Sequence, residues 1–338
     1  MHNKSLTTKL LASLALVSIS AFTTATALGA DYTMRLGVAT RNDPIHHYAE
    51  RYAERIEAAS EGRIRAETFP GGELGSIQRM LENLQLGTME MVVAPPAFAR
   101  GINRGFDAAT VSGLFEDIEH ASRALQDEAF RDTYLALAAD RGLTGVGLWA
   151  YGPTSYATRQ PVASLEDFQG MRVRTIGTEL ENAELRSLGA TAVPMPFIEI
   201  VPAMQNRSID GVRSSLLAMN GVNMQSAAEH LTITQEALYP ITAFVSTAFI
   251  QRLPEDLQQV VHEVGAEVER EMLEVVQASE RRVLEAWREE GVTIIEFDAE
   301  QRAYMGEMIR AASESVLAQD AETFALYNLL VESAERHR

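Results

Sequence analysis

Two arginines, Arg172 and Arg174, stand two residues apart in the run Met171-Arg172-Val173-Arg174-Thr175. The alternation suits a β-strand, and side chains two apart on a strand project to the same face. Arginine is always charged, and its planar fork of donors fits a carboxylate. A buried arginine at a strand end therefore points to a bound anion, whereas a solvated one needs no ligand. The adjacent pair His46-His47 invites a metal reading. Neighbouring side chains on a helix diverge, and no carboxylate stands at a fitting spacing, so no metal site is expected. Gly71-Gly72 invites a phosphate loop, but neither G-x-x-x-x-G-K-[ST] nor G-x-G-x-x-G occurs. G-x-S-x-G and H-E-x-x-H are also absent, and the seven histidines lack motif context. No enzyme and no cofactor is expected. The absence of cysteine excludes disulfides and thiolate metal sites.

These side chains need a scaffold that gathers strand ends. Around the arginine pair, residues 170–216 read as strand 171–175, helix 179–188, strand 191–194, helix 197–206 and strand 209–216. Upstream, a strand at 32–39 leads to Asp43 and Pro44, a helix cap followed by a first-turn proline. A helix through 59, a strand at 63–69, a helix at 76–86 and a buried strand at 91–94 follow. This is the start of an open α/β domain. Ligands in such sheets gather at the carboxyl ends of strands. That singles out Thr40, Arg41 and His46 after the first strand, and Pro95 after the buried strand at 91–94. Trp149 and Tyr151 lie on a strand at 143–151, where the plain reading is core and the other is a ring stacked on ligand.

The remaining pattern completes an α/β chain of 338 residues, a length that favours two domains. A helix spans 120–139, and Gly152-Pro153-Thr154 forms a first hinge. A helix at 218–229 precedes a strand at 239–247, the second hinge. A helical pattern from 257 to 290 would be roughly 50 Å long at 1.5 Å per residue. Its mixed apolar spacing argues against a coiled coil. A short strand at 291–295 and helices from 300 finish the chain. At the N-terminus, Lys4 and Lys9 precede an apolar run and the small-residue sites Ala25-Thr26-Ala27 and Leu28-Gly29-Ala30. This reads as a cleaved export signal, with the run too short for a membrane anchor. Its removal takes the net charge from −18 to −20. That charge argues against nucleic acid and anionic membranes as partners.

Gly170, Met171, Arg172, Val173 and Arg174 fit G-[LM]-[KR]-[IV]-R. Leu188-Gly189-Ala190, Val193-Pro194-Met195, Glu199, Ala203-Met204-Gln205 and Asp210-Gly211 continue the order LGA-x-P-V-P-[ML], Glu, A-[LM]-Q-x-x-x-[VI]-DG. Phe69-Pro70 through Gly75, Gly87 through Glu90, and Arg159 through Gly170 fit further segments. Together they resemble the solute-binding proteins of tripartite ATP-independent periplasmic (TRAP) transporters, DctP type. The resemblance covers the chain from about residue 31 onward. It implies a two-lobed periplasmic binding protein fold with crossing hinge strands and a long helix spanning both lobes. Lobe I would be 31–152 plus 240–279, and lobe II 153–239 plus 280–338. In the family, the second arginine of the strand clamps the ligand carboxylate, which here is Arg174. A monomeric periplasmic receptor is implied, one that passes an organic acid anion to TRAP membrane subunits.

The departures bear on the ligand. The family often reads D-G-x-E-N-P with a ligand-contacting Asn, where this chain has Asp210-Gly211-Val212-Arg213-Ser214-Ser215. Ser214 takes the Asn position, with Ser215 beside it. Thr154 stands where sialic-acid receptors carry a second arginine, and Ala39 and Pro95 replace their polar contacts, so sialic acid is not the expected ligand. Ectoine receptors carry an aromatic residue at the position of Arg172. A second cation there suits a dicarboxylate or a sugar acid if Arg172 faces the cleft. Ligand identity rests on 39–45, 94–98, 149–156 and 214–220, the last including Met219. A ligand-loaded partner of a sensor remains the alternative role, and a secreted enzyme the remote one.

Overall fold

The computed structural model describes residues 30–338, and the expected export signal lies outside them up to residue 29. Nine strands form one mixed sheet among the described residues: β1 Tyr32–Gly37, β2 Ile64–Phe69, β3 Met91–Ala94, β4 Leu143–Thr158, β5 Arg172–Thr175, β6 Thr191–Pro194, β7 Gly211–Ser215, β8 His230–Ser246 and β9 Thr293–Glu296. The order is β2-β1-β3-β8-β4-β7-β5-β6, with β9 also on β8. The outer trios β2-β1-β3 and β7-β5-β6 are parallel within themselves. The long strands β4 and β8 run antiparallel through the middle and belong to both halves. β3 pairs with the C-terminal end of β8, while β7 pairs with the C-terminal end of β4. Two α/β lobes therefore share two crossing strands.

Among the described residues, twelve α-helices cover the sheet: α1 Pro44–Ala59, α2 Ile77–Gln85, α3 Ile118–Leu125, α4 Glu128–Leu135, α5 Glu179–Ser187, α6 Ile200–Gln205, α7 Leu216–Asn220, α8 Thr247–Arg252, α9 Glu255–Glu269, α10 Met272–Glu289, α11 Ala299–Leu317 and α12 Ala321–Arg336. Local chemistry starts many of them. Asp43 accepts the His46 amide, Ser76 the Arg79 amide and Thr178 the Glu181 amide, each satisfying a donor the helix leaves free. One core cluster fills the first lobe and the crossing strands, including Tyr48, Trp149 and Phe244, and continues into the second lobe through Ile200, Met204 and Val212. A second, around Tyr156, Phe168, Val173 and Met305, fills the far lobe.

Several expected elements are revised. The crossings lie inside strands: β4 runs unbroken through 152–154, and β8 begins at His230. The register slips there. Ala150 faces Pro240 while Gly152 faces Tyr239, so Tyr151 is an extra residue. Next, Pro153 faces Leu238 and Ser155 faces Ile233, so the stretch 234–237 opposes Thr154 alone. Gly152 takes φ +136°, a conformation glycine reaches without a Cβ clash. The helix expected at 218–229 stops early because Asn223 turns left-handed, with φ +61°. The helix expected at 120–139 is broken between α3 and α4.

The helix expected at 257–290 is interrupted between α9 and α10, where the Glu271 amide reaches only three residues back, to Val268 O. Just before the break, Glu269 is tied to the sheet, accepting the Leu148 amide at 2.7 Å and pairing with Arg131 at 2.8 Å. The expected lobe division is also revised at its end. α12 packs on α3, α4 and the turn Arg104–Ala109, all in the first half. The Ser333 hydroxyl donates to Ala124 O, and Arg336 pairs with Asp127.

Candidate functional site

Arg174 is the third residue of the four in β5, a strand held between β6 and β7, so its side chain leaves the sheet near the strand's carboxyl end. It is 2 % exposed. Its Nε and Nη2 donate to Met195 O at 3.2 and 3.1 Å, and its Cζ lies 5.2 Å from the centre of the Phe197 ring. Burial lowers its pKa from the ordinary value, and the Glu181 charge opposes that. Among the described residues, no carboxylate lies within ion-pair distance of it. Taking a charge out of water is costly unless a partner compensates. One carbonyl and one ring leave a guanidinium poised for an anion.

Arg174 lines a cavity between the lobes that encloses about 530 Å³ outside atoms, partly continuous with solvent. The second lobe supplies Arg174, Ile176, Glu181, Phe197, Arg213, Ser214, Ser215 and Ala218. The first lobe supplies Ala39, Thr40, Ile45, Ile77, Val93, Pro95 and Phe98, and the crossing strands add Tyr151 and Tyr239. Tyr151, the extra residue in β4, donates its hydroxyl to Asp43, the cap of α1. Burial pushes the Asp43 carboxyl up, and the Tyr151 bond pulls it down. Ser215 caps α7, accepting the Ala218 amide at 3.2 Å.

Arg213 differs from Arg174. Its three nitrogens are taken by Glu236 at 3.1 Å, Glu184 at 2.5 Å and the Ser112 hydroxyl at 3.2 Å. Glu236 reaches this place because 234–237 bulges inward, and it also accepts from Thr154, Thr234 and Tyr156. Bulges commonly re-aim side chains beside binding sites.

Of the residues singled out from sequence, Arg174, Ser214, Ser215, Tyr151, Thr40 and Pro95 meet in the cavity. The other five lie outside its lining. Arg172 turns to Asp210, with Nε and Nη2 each 2.9 Å from its carboxylate. Thr154 is fully buried and donates to Glu236. Arg41 pairs with Glu73 at 2.5 Å, half exposed. His46 accepts the Asn42 amide and faces Glu50, beside a separate depression lined by His47 and Arg282. Met219 is wholly buried in the core. Glu181, Arg213, Tyr239, Phe98 and Phe197 were not singled out. Thr178-x-x-Glu181 reads as a reciprocal helix cap, but the Glu181 carboxylate accepts the Ile176 amide at 2.7 Å instead. A charge inside the strand Val212-Arg213-Ser214 was the available signal for Arg213. Among the described residues, no cluster of three or more His, Asp or Glu could hold a metal.

Two lobes on crossing strands, closed around a cavity lined by a buried arginine that has no carboxylate partner among the described residues, define a hinged solute-binding protein. The chain matches the bacterial extracellular solute-binding proteins, family 7 (DctP), over residues 37–320, and it belongs to that family. It is similar to the 2,3-diketo-L-gulonate-binding periplasmic protein YiaO of Escherichia coli K12, with 23% identity over 87% of this chain and 90% of that one. The C4-dicarboxylate-binding periplasmic protein DctP of Rhodobacter capsulatus is 26% identical over 82% of this chain and 84% of its own. Two solved structures share the fold. A TRAP periplasmic solute-binding protein from Desulfovibrio salexigens with bound orotic acid gives a TM-score of 0.86 at 23% identity, covering 91% of this chain and 100% of that one. The sugar acid binding protein DctPAm from Advenella mimigardefordensis with galactonate gives 0.85 at 21%, covering 90% and 98%.

Proposed function

We propose that this protein is a periplasmic receptor that holds the carboxylate of an organic acid on Arg174 and delivers it to a TRAP membrane complex. The observation that carries this reading is the buried Arg174 guanidinium, which lines the cavity without a carboxylate of its own. Relatives named for diketogulonate and C4-dicarboxylates support an acid as cargo. Closure of the lobes would exclude water and strengthen the ion pair. The chain would be exported, cut near Ala27 or Ala30, and act as a monomer. Among the described residues no helix is long and apolar enough to cross a membrane. The lobes would divide at the crossings, as 31–152 plus 240–279 and 153–239 plus 280–320, with α12 returning to the first.

A thermal-shift scan of the mature protein against monocarboxylates, dicarboxylates, uronates and aldonates tests the reading. Ligand at about 100 times its dissociation constant adds about 2.7 kcal/mol. For a chain of this size that raises the midpoint by roughly 4–6 °C. The shift should vanish in Arg174→Gln. A shift that survives this substitution would remove the clamp.

A further inference from the structure

The cavity holds more information than the Arg174 cation, and three observations bear on which acid it takes. The first concerns the wall that the first lobe contributes. Ile45, Ile77, Val93, Pro95 and Phe98 offer no side-chain donor or acceptor, and Pro95 has no amide hydrogen. Hydroxyls buried against this wall would lose water without replacement.

The second observation is the charge inventory. A dianion needs a second unpaired cation. Arg172 lies outside the cavity on Asp210. Arg213 lines the cavity but is saturated by Glu184, Glu236 and Ser112. Glu181 adds a negative charge to the lining. Among the described residues, a second carboxylate would meet Glu181 and no unpaired cation.

The third observation is what remains unpaired. The Tyr239 hydroxyl is shielded from solvent and has no hydrogen-bond partner. Tyr239 lines the cavity. Buried polar atoms without partners are rare, and one beside this cavity marks a place for a ligand atom. Tyr239 and Arg174 line the same cavity, so the Tyr239 hydroxyl can serve a second oxygen of an acid whose carboxylate is held on Arg174.

We infer that the ligand is a monocarboxylate with an apolar body and one hydroxyl or oxo group beside the carboxylate. The class is that of 2-oxo and 2-hydroxy acids with branched or aromatic tails. The carboxylate sits on Arg174, the adjacent oxygen on Tyr239, and the tail against the first-lobe wall. This inference rests on the reading of Arg174 as the clamp.

The test is calorimetric titration of the mature protein with three sets of probes. These are 4-methyl-2-oxopentanoate and 3-phenyl-2-oxopropanoate, then succinate and malate, then galacturonate and gluconate. The expected result is at least 100-fold tighter binding of the first set. Removing one methylene from the tail should weaken binding about fourfold. Tyr239→Phe should weaken the 2-oxo acid at least fivefold while leaving the corresponding acid without the oxo group within twofold. If a dicarboxylate or a sugar acid binds tighter than every member of the first set, the inference is overturned. The clamp itself would stand in that case, provided Arg174→Gln abolishes the binding. If no probe binds, or Arg174→Gln leaves binding unchanged, the inference and the clamp both fall.

Discussion

Arg172 and Arg174 leave the same strand, yet Arg172 meets Asp210 and Arg174 meets a carbonyl, a ring and the cavity. Arg172→Ala should therefore lower stability and leave affinity for any acid within about twofold, read by urea unfolding and calorimetry side by side. Asp210 gives a pH signature. The hydrogen bond from Arg172, opposed by some desolvation, holds its carboxyl at about 2. A depressed carboxylate pKa stabilises the folded state above the unfolded value, and the contribution is lost as pH falls through the folded one. Solvent screening at this partly exposed pair limits the effect to about 1 kcal/mol. The stability gap between the native protein and Asp210→Asn should be full above about pH 4 and close toward pH 2. A gap that does not change with pH would contradict this. Both arginines were legible in the sequence, since strand alternation put them on one face. Which one was free was not, because the Asp210 that takes Arg172 arrives from 38 residues downstream.

At the scale of elements, the crossing is held by charges as well as strands. Arg213 on β7 binds Glu184 on α5 and Glu236 in the bulge of β8, and Glu184 also accepts from Ser313 on α11. Removing one partner of a buried pair strands the others, at a cost of about 3–5 kcal/mol. Arg213→Ala should lose stability of that order in denaturant unfolding, and a loss below about 1 kcal/mol would contradict the assignment. Helix starts were legible because their caps are local: Asp43, Ser76 and Thr178 each accept an amide three residues on. The bulge at 234–237 and the break between α9 and α10 were not. Each depends on partners far along the chain, Arg213 and Thr154 for the bulge, Leu148 and Arg131 for the break.

Across the whole molecule, the lobes meet around the cavity. Glu179 of the second lobe stands 3.5 Å from Arg104 of the first, and the Arg41 amide donates to Gly221 O. The chain carries a net charge of −18, so its overall field repels the anion its cavity would take. Capture must rest on the local cation, and association of an acid should not slow as salt is raised. Stopped-flow rates that fall with salt would instead point to a positive field at the mouth. The two-lobed plan was legible from the ordered motifs between residues 69 and 211, while the apolar first-lobe wall emerged only when strand ends and helices met. The central claim is that Arg174 recognises a carboxylate, and one comparison tests it most directly. The acid that binds best is titrated beside its primary amide, on the native protein and on Arg174→Gln. The acid should bind at least 100-fold tighter than the amide on the native protein, and the preference should fall below about tenfold in the variant. An amide that binds as well as the acid, or a preference that survives the substitution, would contradict the account.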